Sequence, residues 1–229
     1  METRRVRTRR DLRSFLRLPR KVYSGDPNWV PPLIADVKKK LDPATNPFFR
    51  HGEAACFLAF GPGGPVGRIA AIIDRSHNER YRDRTGFFGL FECLNDPDAA
   101  RALVAAAGAW CGERGMDILR GPMNLSMNDE CAFLLEGFDS PPAVMMPYNP
   151  PYYLDLMEAC GMAKAKDLYA FRLENDTAGK ARVQAALARI PNPGDFTFRP
   201  VTKAGLLSDA LKIGEIYNAG WRDNWGFVP

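Results

Sequence analysis

Two apolar runs joined by a short Gly- and Pro-rich segment constrain the fold more than any other feature of the sequence. Residues 54–60 and 66–73 are apolar enough to be buried strands, and Gly61-Pro62-Gly63-Gly64-Pro65 separates them. Strands this close along the chain pair antiparallel through a tight turn. A Gly-rich segment can instead bind phosphate, but this one lacks a Gly-Lys-Ser/Thr ending and no helix follows it. The sequence therefore predicts a β-hairpin here.

Strand and helix patterns alternate after this hairpin. A third strand is predicted at 86–93, and a helix from Asp96-Pro97 to about Glu113, because Asp is a favoured N-cap and Pro a favoured first helical residue. Further strands are predicted at 6–7, 117–121 and 165–173, and further helices at 9–18, 33–41 and 149–160. The order through residue 173 is β-α-α-β-β-β-α-β-α-β, which indicates an α/β (α+β) mixed sheet with helices on both faces.

The composition excludes several classes of protein. With 46% hydrophobic and 25% charged residues, the 229-residue chain is neither disordered nor fibrous as a whole. No run of 18 apolar residues predicts a transmembrane helix. The five cysteines are scattered without a Cys-x-x-Cys pair, and the chain has two histidines. We therefore expect reduced thiols, a cytoplasmic location and no metal site.

The basic residues are concentrated at the N-terminus. Residues 1–22 contain nine basic and two acidic residues, a net charge of +7, whereas the whole chain has a net charge of +4. A solvated helix face explains such a patch, and so does contact with an anion, either a phosphate-bearing cofactor or an anionic membrane surface at the inner face of the membrane. The patch lacks the interleaved aromatic residues of a single-strand platform, so we expect no nucleic-acid partner.

The C-terminal part of the chain weakly repeats the N-terminal part. A predicted strand at 196–201 and helix at about 204–219 precede Tyr217 and the run 223–229, much as a strand and helices precede Tyr23 and the run 26–31. The boundaries predicted from this echo are an N-terminal domain at 1–175, a linker with one helix (178–189) at 176–195, and the start of a second, truncated domain at 196–229. Chance similarity of a few aromatic and Pro positions is the alternative. We read the chain as the front part of a longer protein.

Several local sequences resemble one group of proteins. These segments are Asp26-Pro27-Asn28-Trp29-Val30-Pro31-Pro32, Asn46-Pro47-Phe48-Phe49, Val66-Gly67-Arg68-Ile69-Ala70-Ala71, Gly86-Phe87-Phe88-Gly89-Leu90-Phe91-Glu92, Gly121-Pro122-Met123-Asn124 and Tyr148-Asn149-Pro150-Pro151-Tyr152-Tyr153. With them the chain is similar, over nearly its whole length, to the bacterial GNAT-like proteins of the YghO type, within the GNAT acyl-CoA N-acyltransferase superfamily.

The resemblance implies an activity and a second half. Proteins of this group have two GNAT-like halves, and some relatives are proposed to acylate long-chain amines in bacterial ceramide synthesis. The implied co-substrate is acyl-CoA or acetyl-CoA, without a metal, and the implied acceptor is a small or lipid-like amine. The oligomeric state is not implied.

One part of the superfamily pattern is missing. Its pyrophosphate loop, Gln/Arg-x-x-Gly-x-Gly/Ala, lies between the fourth strand and the next helix, where this chain has Cys93-Leu94-Asn95-Asp96-Pro97-Asp98-Ala99-Ala100. This segment has no Gly, and it places two carboxylates where a pyrophosphate would bind a helix N-terminus. We therefore expect that residues 1–175 do not bind CoA in the usual way, and the cofactor-binding residues are unknown.

Acyl transfer to an amine needs a base and a proton donor for the leaving thiolate. Glu92 at a strand end is the candidate base, and Tyr152 and Tyr153 are the candidate donors; a capping carboxylate and aromatic packing are the alternatives. The long loop 122–149 carries alternating polar and Met positions, which favours a substrate pocket that includes Asn124, Ser126, Asn128 and Asn149. A loop pinned to the core, with Asn149 as a helix N-cap, is the alternative reading.

Two functions are consistent with these residues. The first is an acyl-CoA-dependent N-acyltransferase, and the second is a non-catalytic GNAT-like module that binds a ligand or a partner. The missing pyrophosphate pattern favours the second, and the whole-chain resemblance favours the first.

Overall fold

The computed structural model describes residues 1–172, 177–189 and 199–229. The chain divides into two compact units. Unit 1 contains residues 1–165 and 225–228, and unit 2 contains residues 166–224 and 229.

Unit 1 is built on a five-stranded mixed sheet. Its strands are β1 (Glu2–Arg5), β2 (Gly52–Gly61), β3 (Gly64–Asp74), β4 (Thr85–Cys93) and β5 (Ile118–Arg120), in spatial order β1-β2-β3-β4-β5. The first four strands are antiparallel neighbours, and β5 is parallel to β4. Gly61 pairs with Gly64, so Pro62 and Gly63 form a two-residue turn. The predicted hairpin and mixed sheet are confirmed.

The described residues form eight α-helices and one short 3₁₀ helix. The α-helices are α1 (Arg9–Arg17), α2 (Pro19–Val22), α3 (Ile34–Lys40), α4 (Arg75–Tyr81), α5 (Pro97–Gly112), α6 (Tyr153–Ala159), α7 (Thr177–Leu187) and α8 (Leu206–Trp221), and the 3₁₀ helix spans Pro47–Arg50. The predictions at 9–18, 33–41, 178–189 and 204–219 are confirmed within two residues. Pro19 follows the end of α1 and begins α2, because Pro fits the first turn of a helix.

Helices cover both faces of the sheet, as the sequence predicts. Along β3, Ile69, Ala71 and Ile73 belong to the core beneath α5 and α6, whereas Ala70 and Ile72 belong to the core beneath α1. A strand buried on both faces explains why residues 66–73 are almost continuously apolar.

Three predicted elements differ from the structure. The first strand is Glu2–Arg5 and not 6–7, because β1 pairs with residues 57–60 of β2. The helix predicted from Asn149 begins at Tyr153, with Tyr152 as its N-cap. Residues 165–172 form no strand, so the prediction at 165–173 is wrong in the part that the structure describes. Leu168, Tyr169 and Phe171 have strand-forming character but are exposed and have no ladder partner there, and a strand needs one.

Unit 2 contains α7 and α8 in its described part. Arg199 makes a bidentate ion pair with Asp209 in the first turn of α8. Leu207, Leu211 and Ile216 of α8 are exposed. Residues 190–195 of the predicted linker and residues 196–198 of the strand predicted at 196–201 lie outside the described residues, and 199–201 are not in a strand. The repeat and the domain boundaries stay predictions. None of the described helices is long and apolar enough to cross a bilayer.

Candidate functional site

A buried ion pair lies across the middle strands of the sheet. Arg68 of β3 and Glu92 of β4 are direct register partners, and the Arg68 Nη2 and Glu92 Oε1 atoms are 3.6 Å apart. Their side chains are 5% and 14% exposed. Buried charges are costly unless they are paired and hydrogen-bonded. The two buried charges therefore need hydrogen bonds from the polar groups around them as well as their mutual attraction.

The two tyrosines predicted as proton donors lie at the start of α6, and Tyr153 bonds to the ion pair directly. The Tyr153 hydroxyl donates to Glu92 Oε2 at 2.8 Å and accepts the Cys93 backbone N–H at 2.9 Å. The Tyr152 hydroxyl donates to the Cys93 carbonyl oxygen at 2.9 Å. The structure therefore brings Glu92, Tyr152 and Tyr153 together at the end of β4.

Burial controls the protonation of this cluster. It raises the pKa of Glu92 above its usual value, although Arg68 and the Tyr153 hydrogen bond act in the opposite direction. It raises the pKa of Tyr152 to about 12 and that of Tyr153 well above the ordinary phenol value. A carboxylate with a raised pKa is a stronger base, and a neutral phenol can donate a proton. The chemistry available to the cluster is proton transfer through Glu92.

Arg68 is the member of the cluster that sequence reasoning missed. Its Nη1 donates to the Phe15 carbonyl oxygen at 2.8 Å, and its guanidinium lies 4.9 Å from the centre of the Phe15 ring. Its Nε is buried without a hydrogen-bond partner among the described residues. Burial lowers its pKa. A charged residue in the middle of the apolar run 66–73 was the signal that could have identified it.

A second group of aromatic residues adjoins the pair. Tyr23 stacks on Trp29 with ring centres 4.8 Å apart, and its hydroxyl donates to the Tyr148 carbonyl oxygen at 3.1 Å. The Tyr148 hydroxyl donates to Asp26 Oδ2 at 2.8 Å. The Tyr23 side chain also acts to lower the pKa of the Glu92 carboxyl. These contacts connect the buried pair to the loop that follows α2.

The strand β4 has a bulge beside the cluster, and the loop 122–149 packs directly against this bulge. The register shifts between Arg68 and Ala70 of β3, and Leu90 opposite this shift has a positive φ of 47°. The Leu90 N–H donates to Asn124 Oδ1 at 2.8 Å. A Cβ on Gly89 would lie 1.9 Å from the Met123 carbonyl oxygen, so the loop approaches β4 as closely as glycine allows. Asn124 therefore fixes the loop to the bulge.

The other predicted pocket residues also bond within the loop 122–149. Ser126 Oγ donates to Asp129 Oδ2 at 2.8 Å and accepts the Asn128 N–H at 3.2 Å. Asn149 is buried, and its side chain accepts the Leu134 N–H at 2.6 Å. Asn149 is therefore not the N-cap of α6 but a clamp across the loop. The hydrogen bonds of the four predicted residues join parts of the loop to one another and, at Asn124, to β4, and their role in a substrate pocket stays a prediction.

The N-terminus of α5 is occupied by the chain itself. The Asp96 carboxylate accepts the N–H groups of Asp98 and Ala99 at 2.9 and 3.0 Å. These are the donors that a pyrophosphate at this helix would use. The geometry agrees with the expectation that this segment does not bind CoA in the usual way.

The cluster offers neither a thiol nucleophile nor a metal site in its described parts. Burial raises the pKa of Cys93 to about 12, so its thiol is protonated at neutral pH. Among the residues that the structure describes, no group of three or more His, Cys, Asp or Glu side chains could hold a metal ion.

Comparison with solved structures finds distant similarity. An aminoglycoside acetyltransferase from an uncultured soil metagenomic sample, solved with sisomicin, aligns at a TM-score of 0.45 and 13% identity, covering 76% of this chain and 96% of that chain. The structure of the same enzyme with trehalose gives a TM-score of 0.45 and 11% identity. No model of a known protein family matches the chain.

Comparison with curated proteins finds much closer relatives. The chain is 36% identical to Protein YghO of Escherichia coli over 220 residues, which are 96% of this chain and 56% of that protein. It is 36% identical to the bacterial ceramide synthase of Caulobacter vibrioides over 225 residues, which are 98% of this chain and 58% of that protein. The chain thus spans a little more than half the length of these relatives. The predicted resemblance to proteins of the YghO type is confirmed.

Proposed function

We propose that the chain is part of an acyl-CoA-dependent N-acyltransferase that transfers an acyl group to a lipid-like amine. The observation that carries this proposal is the 36% identity, over 98% of the chain, to a relative named as a bacterial ceramide synthase. A ceramide is the amide of a long-chain amine, so its synthesis forms a C–N bond at an acyl carbon. The co-substrate would be acyl-CoA or acetyl-CoA.

The buried cluster supplies the groups that this reaction needs. The amine nitrogen attacks the thioester carbonyl, the C–N bond forms and the C–S bond breaks. Glu92 is proposed to accept the proton of the attacking amine, and its raised pKa suits that role. Tyr152 or Tyr153 is proposed to donate its proton to the departing thiolate and to recover a proton from Glu92, so that the amine proton ends on the thiol and both protein groups regain their starting state.

Unit 1 is proposed to bind the acceptor and not the pyrophosphate of CoA. Asp96 occupies the N-terminus of α5, and Asn124 occupies the backbone N–H of the β4 bulge. Without these side chains, the backbone N–H groups at the N-terminus of α5 and at Leu90 could bind an anion or a carbonyl oxygen of a ligand. The CoA phosphates would then bind other residues of the polypeptide.

The test is an amide-forming assay with acyl-CoA and a long-chain amine, using the longest natural form of the polypeptide. We expect Glu92→Gln to lower kcat by a factor of 100 or more and to change the pH dependence of kcat. Glu158→Gln is the matched control, because Glu158 is an exposed carboxylate on α6. Full activity of Glu92→Gln would contradict the role of Glu92, and no amide product with any chain length would contradict the function.

The second candidate is a non-catalytic module that binds a ligand or a partner. The occupied helix N-terminus at Asp96 favours it. The two candidates differ in their response to acyl-CoA, since a ligand at 100 times its Kd raises the free energy of unfolding by about 2.7 kcal/mol. An active polypeptide whose melting temperature rises with acyl-CoA supports the enzyme. No thermal shift and no product with any acyl-CoA would support the module.

A further inference from the structure

Two uncharged loops of unit 1 expose apolar side chains to solvent. The first, 27–35, carries Val30 and Leu33, which are 57% and 70% exposed, and the second, 140–147, carries Val144 and Met145, which are 92% and 58% exposed. Neither loop contains a charged residue. Isolated exposed apolar residues are ordinary, but clusters of them at loop tips mark interaction surfaces.

The two loops are held side by side. Asn28 Nδ2 donates to the Phe138 carbonyl oxygen at 3.1 Å, just before the second loop. Just after it, the Tyr148 hydroxyl donates to Asp26 Oδ2 at 2.8 Å. The third contact is the Tyr23 hydroxyl, which donates to the Tyr148 carbonyl oxygen. These three hydrogen bonds fix the base of one loop to the base of the other. We call the exposed apolar residues of the two joined loops, with Ile34 at the start of α3, the apolar tip: Val30, Leu33, Ile34, Val144, Met145 and Met146.

Exposed cations border the apolar tip. Arg20 of α2 lines a narrow cleft together with Pro32 and Ile34 of the first loop. Lys38 follows Ile34 by one turn of α3, and Arg13 precedes the cleft residue Leu16 by nearly one turn of α1. None of Arg13, Arg20 and Lys38 forms an ion pair with a carboxylate in the described part of the chain. Arg13 and Arg20 belong to the N-terminal segment 1–22, which has a net charge of +7.

We propose that the apolar tip inserts into the surface of an anionic lipid bilayer while the bordering cations bind the lipid headgroups. An uncharged apolar tip bordered by Arg13, Arg20 and Lys38 has the chemistry that an anionic interface selects, because apolar side chains enter the acyl boundary and Lys or Arg remain at the headgroups. The exposed carboxylates Asp36 and Asp139 also flank the tip and act against this attraction. The charge pattern favours lipid over a protein partner, since a protein surface would need acidic residues around an apolar socket. The proposal does not rest on acyl transfer.

The test is sedimentation of the purified chain with vesicles of phosphatidylcholine alone or with about 30% phosphatidylglycerol. We expect binding to the anionic vesicles that weakens with salt, and little binding to the neutral ones. The triple variant Arg13→Gln, Arg20→Gln and Lys38→Gln should bind about 100-fold more weakly, at about fivefold for each cation. Leu33→Ser and Val144→Ser should each weaken binding about tenfold.

Matched controls separate insertion from general attraction of a basic protein. Lys180→Gln, Arg182→Gln and Arg189→Gln remove three exposed cations of unit 2, and Val183→Ser removes an exposed apolar side chain there. These variants should bind like the unaltered chain. Equal weakening by the two triple variants, or no effect of Leu33→Ser and Val144→Ser, would overturn insertion by the apolar tip.

A direct measurement of depth completes the test. Trp29 lies in the first loop, so brominated lipids should quench its fluorescence, and Trp29→Phe should remove that part of the quenching. Because the curated relatives are longer, the longest natural polypeptide is measured in the same way. Binding by residues 1–229 but not by the longer form would mean that protein covers the apolar tip, and this would also overturn the proposal.

Discussion

The buried pair of Arg68 and Glu92 gives a sharp prediction about stability. Replacing Glu92 with Leu leaves the Arg68 guanidinium buried with one hydrogen bond, from Nη1 to the Phe15 carbonyl oxygen. Removing one partner of a buried pair costs about 3–5 kcal/mol. The Tyr153 hydroxyl also loses its acceptor, which costs about 1 kcal/mol more. We therefore expect Glu92→Leu to lower the free energy of unfolding by about 4–6 kcal/mol.

The double variant distinguishes the contribution of the ion pair to the free energy of unfolding from that of the surrounding packing. Arg68→Met with Glu92→Leu removes both charges, and similar exchanges in other proteins are nearly neutral or stabilising. The double variant should therefore lose about 1–2 kcal/mol, mainly from the Tyr153 hydroxyl. The assay is urea unfolding at pH 7, followed by circular dichroism, for the two single variants and the double variant. A double variant that loses the sum of the two single losses would refute the reasoning.

Three further predictions concern titration, helix capping and a close backbone approach. Because burial raises the pKa of Glu92, its favourable contribution to stability is complete below the unfolded pKa of about 4.3 and is lost as pH rises through the folded pKa. The stability of the unaltered chain relative to Glu92→Gln, measured from pH 4 to 8, should fall with pH, and a rise would mean that Arg68 outweighs burial. Asp96→Ala should cost about 1 kcal/mol through the lost N-cap of α5, whereas Asp98→Ala should cost little; equal losses in urea unfolding would contradict the cap. Gly89→Ala should cost at least about 2 kcal/mol, because its Cβ would clash with a loop carbonyl, whereas Gly63→Ala in open space should change stability by less than about 1 kcal/mol. A melting temperature for Gly89→Ala equal to that of Gly63→Ala would argue against the clash.

Local chemistry made part of the fold predictable. The turn at Pro62 and Gly63, and the start of α5 at Asp96 and Pro97, follow from residues that are neighbours along the chain. The burial of β3 on both faces follows from an apolar run that only Arg68 interrupts. These elements were predicted to within a few residues because no distant part of the chain is needed to form them.

The candidate site was predictable only in part, because it depends on register. Glu92, Tyr152 and Tyr153 have suitable chemistry in the sequence, but the partner of Glu92 follows from the pairing of β3 with β4. The same dependence explains the wrong strand at 165–173, whose composition fits a strand that has no partner in the described residues. The positive φ of Leu90 has no local signal either, because leucine rarely adopts it without a bulge.

The titration of the cluster gives a last prediction about the proposed reaction. Burial raises the pKa values of Tyr23, Tyr152 and Tyr153, so each phenol is neutral at physiological pH and can pass a proton only by donating one and accepting another. Arg68 keeps its charge, because an arginine side chain does not lose its proton in proteins. Glu92 is then the group of this cluster that loses its proton first as pH rises. If the cluster performs the proton transfer, the acidic limb of the pH profile of kcat should have a single inflection, which Glu92→Gln removes and Tyr152→Phe leaves in place. An inflection that survives Glu92→Gln would assign the base to another residue.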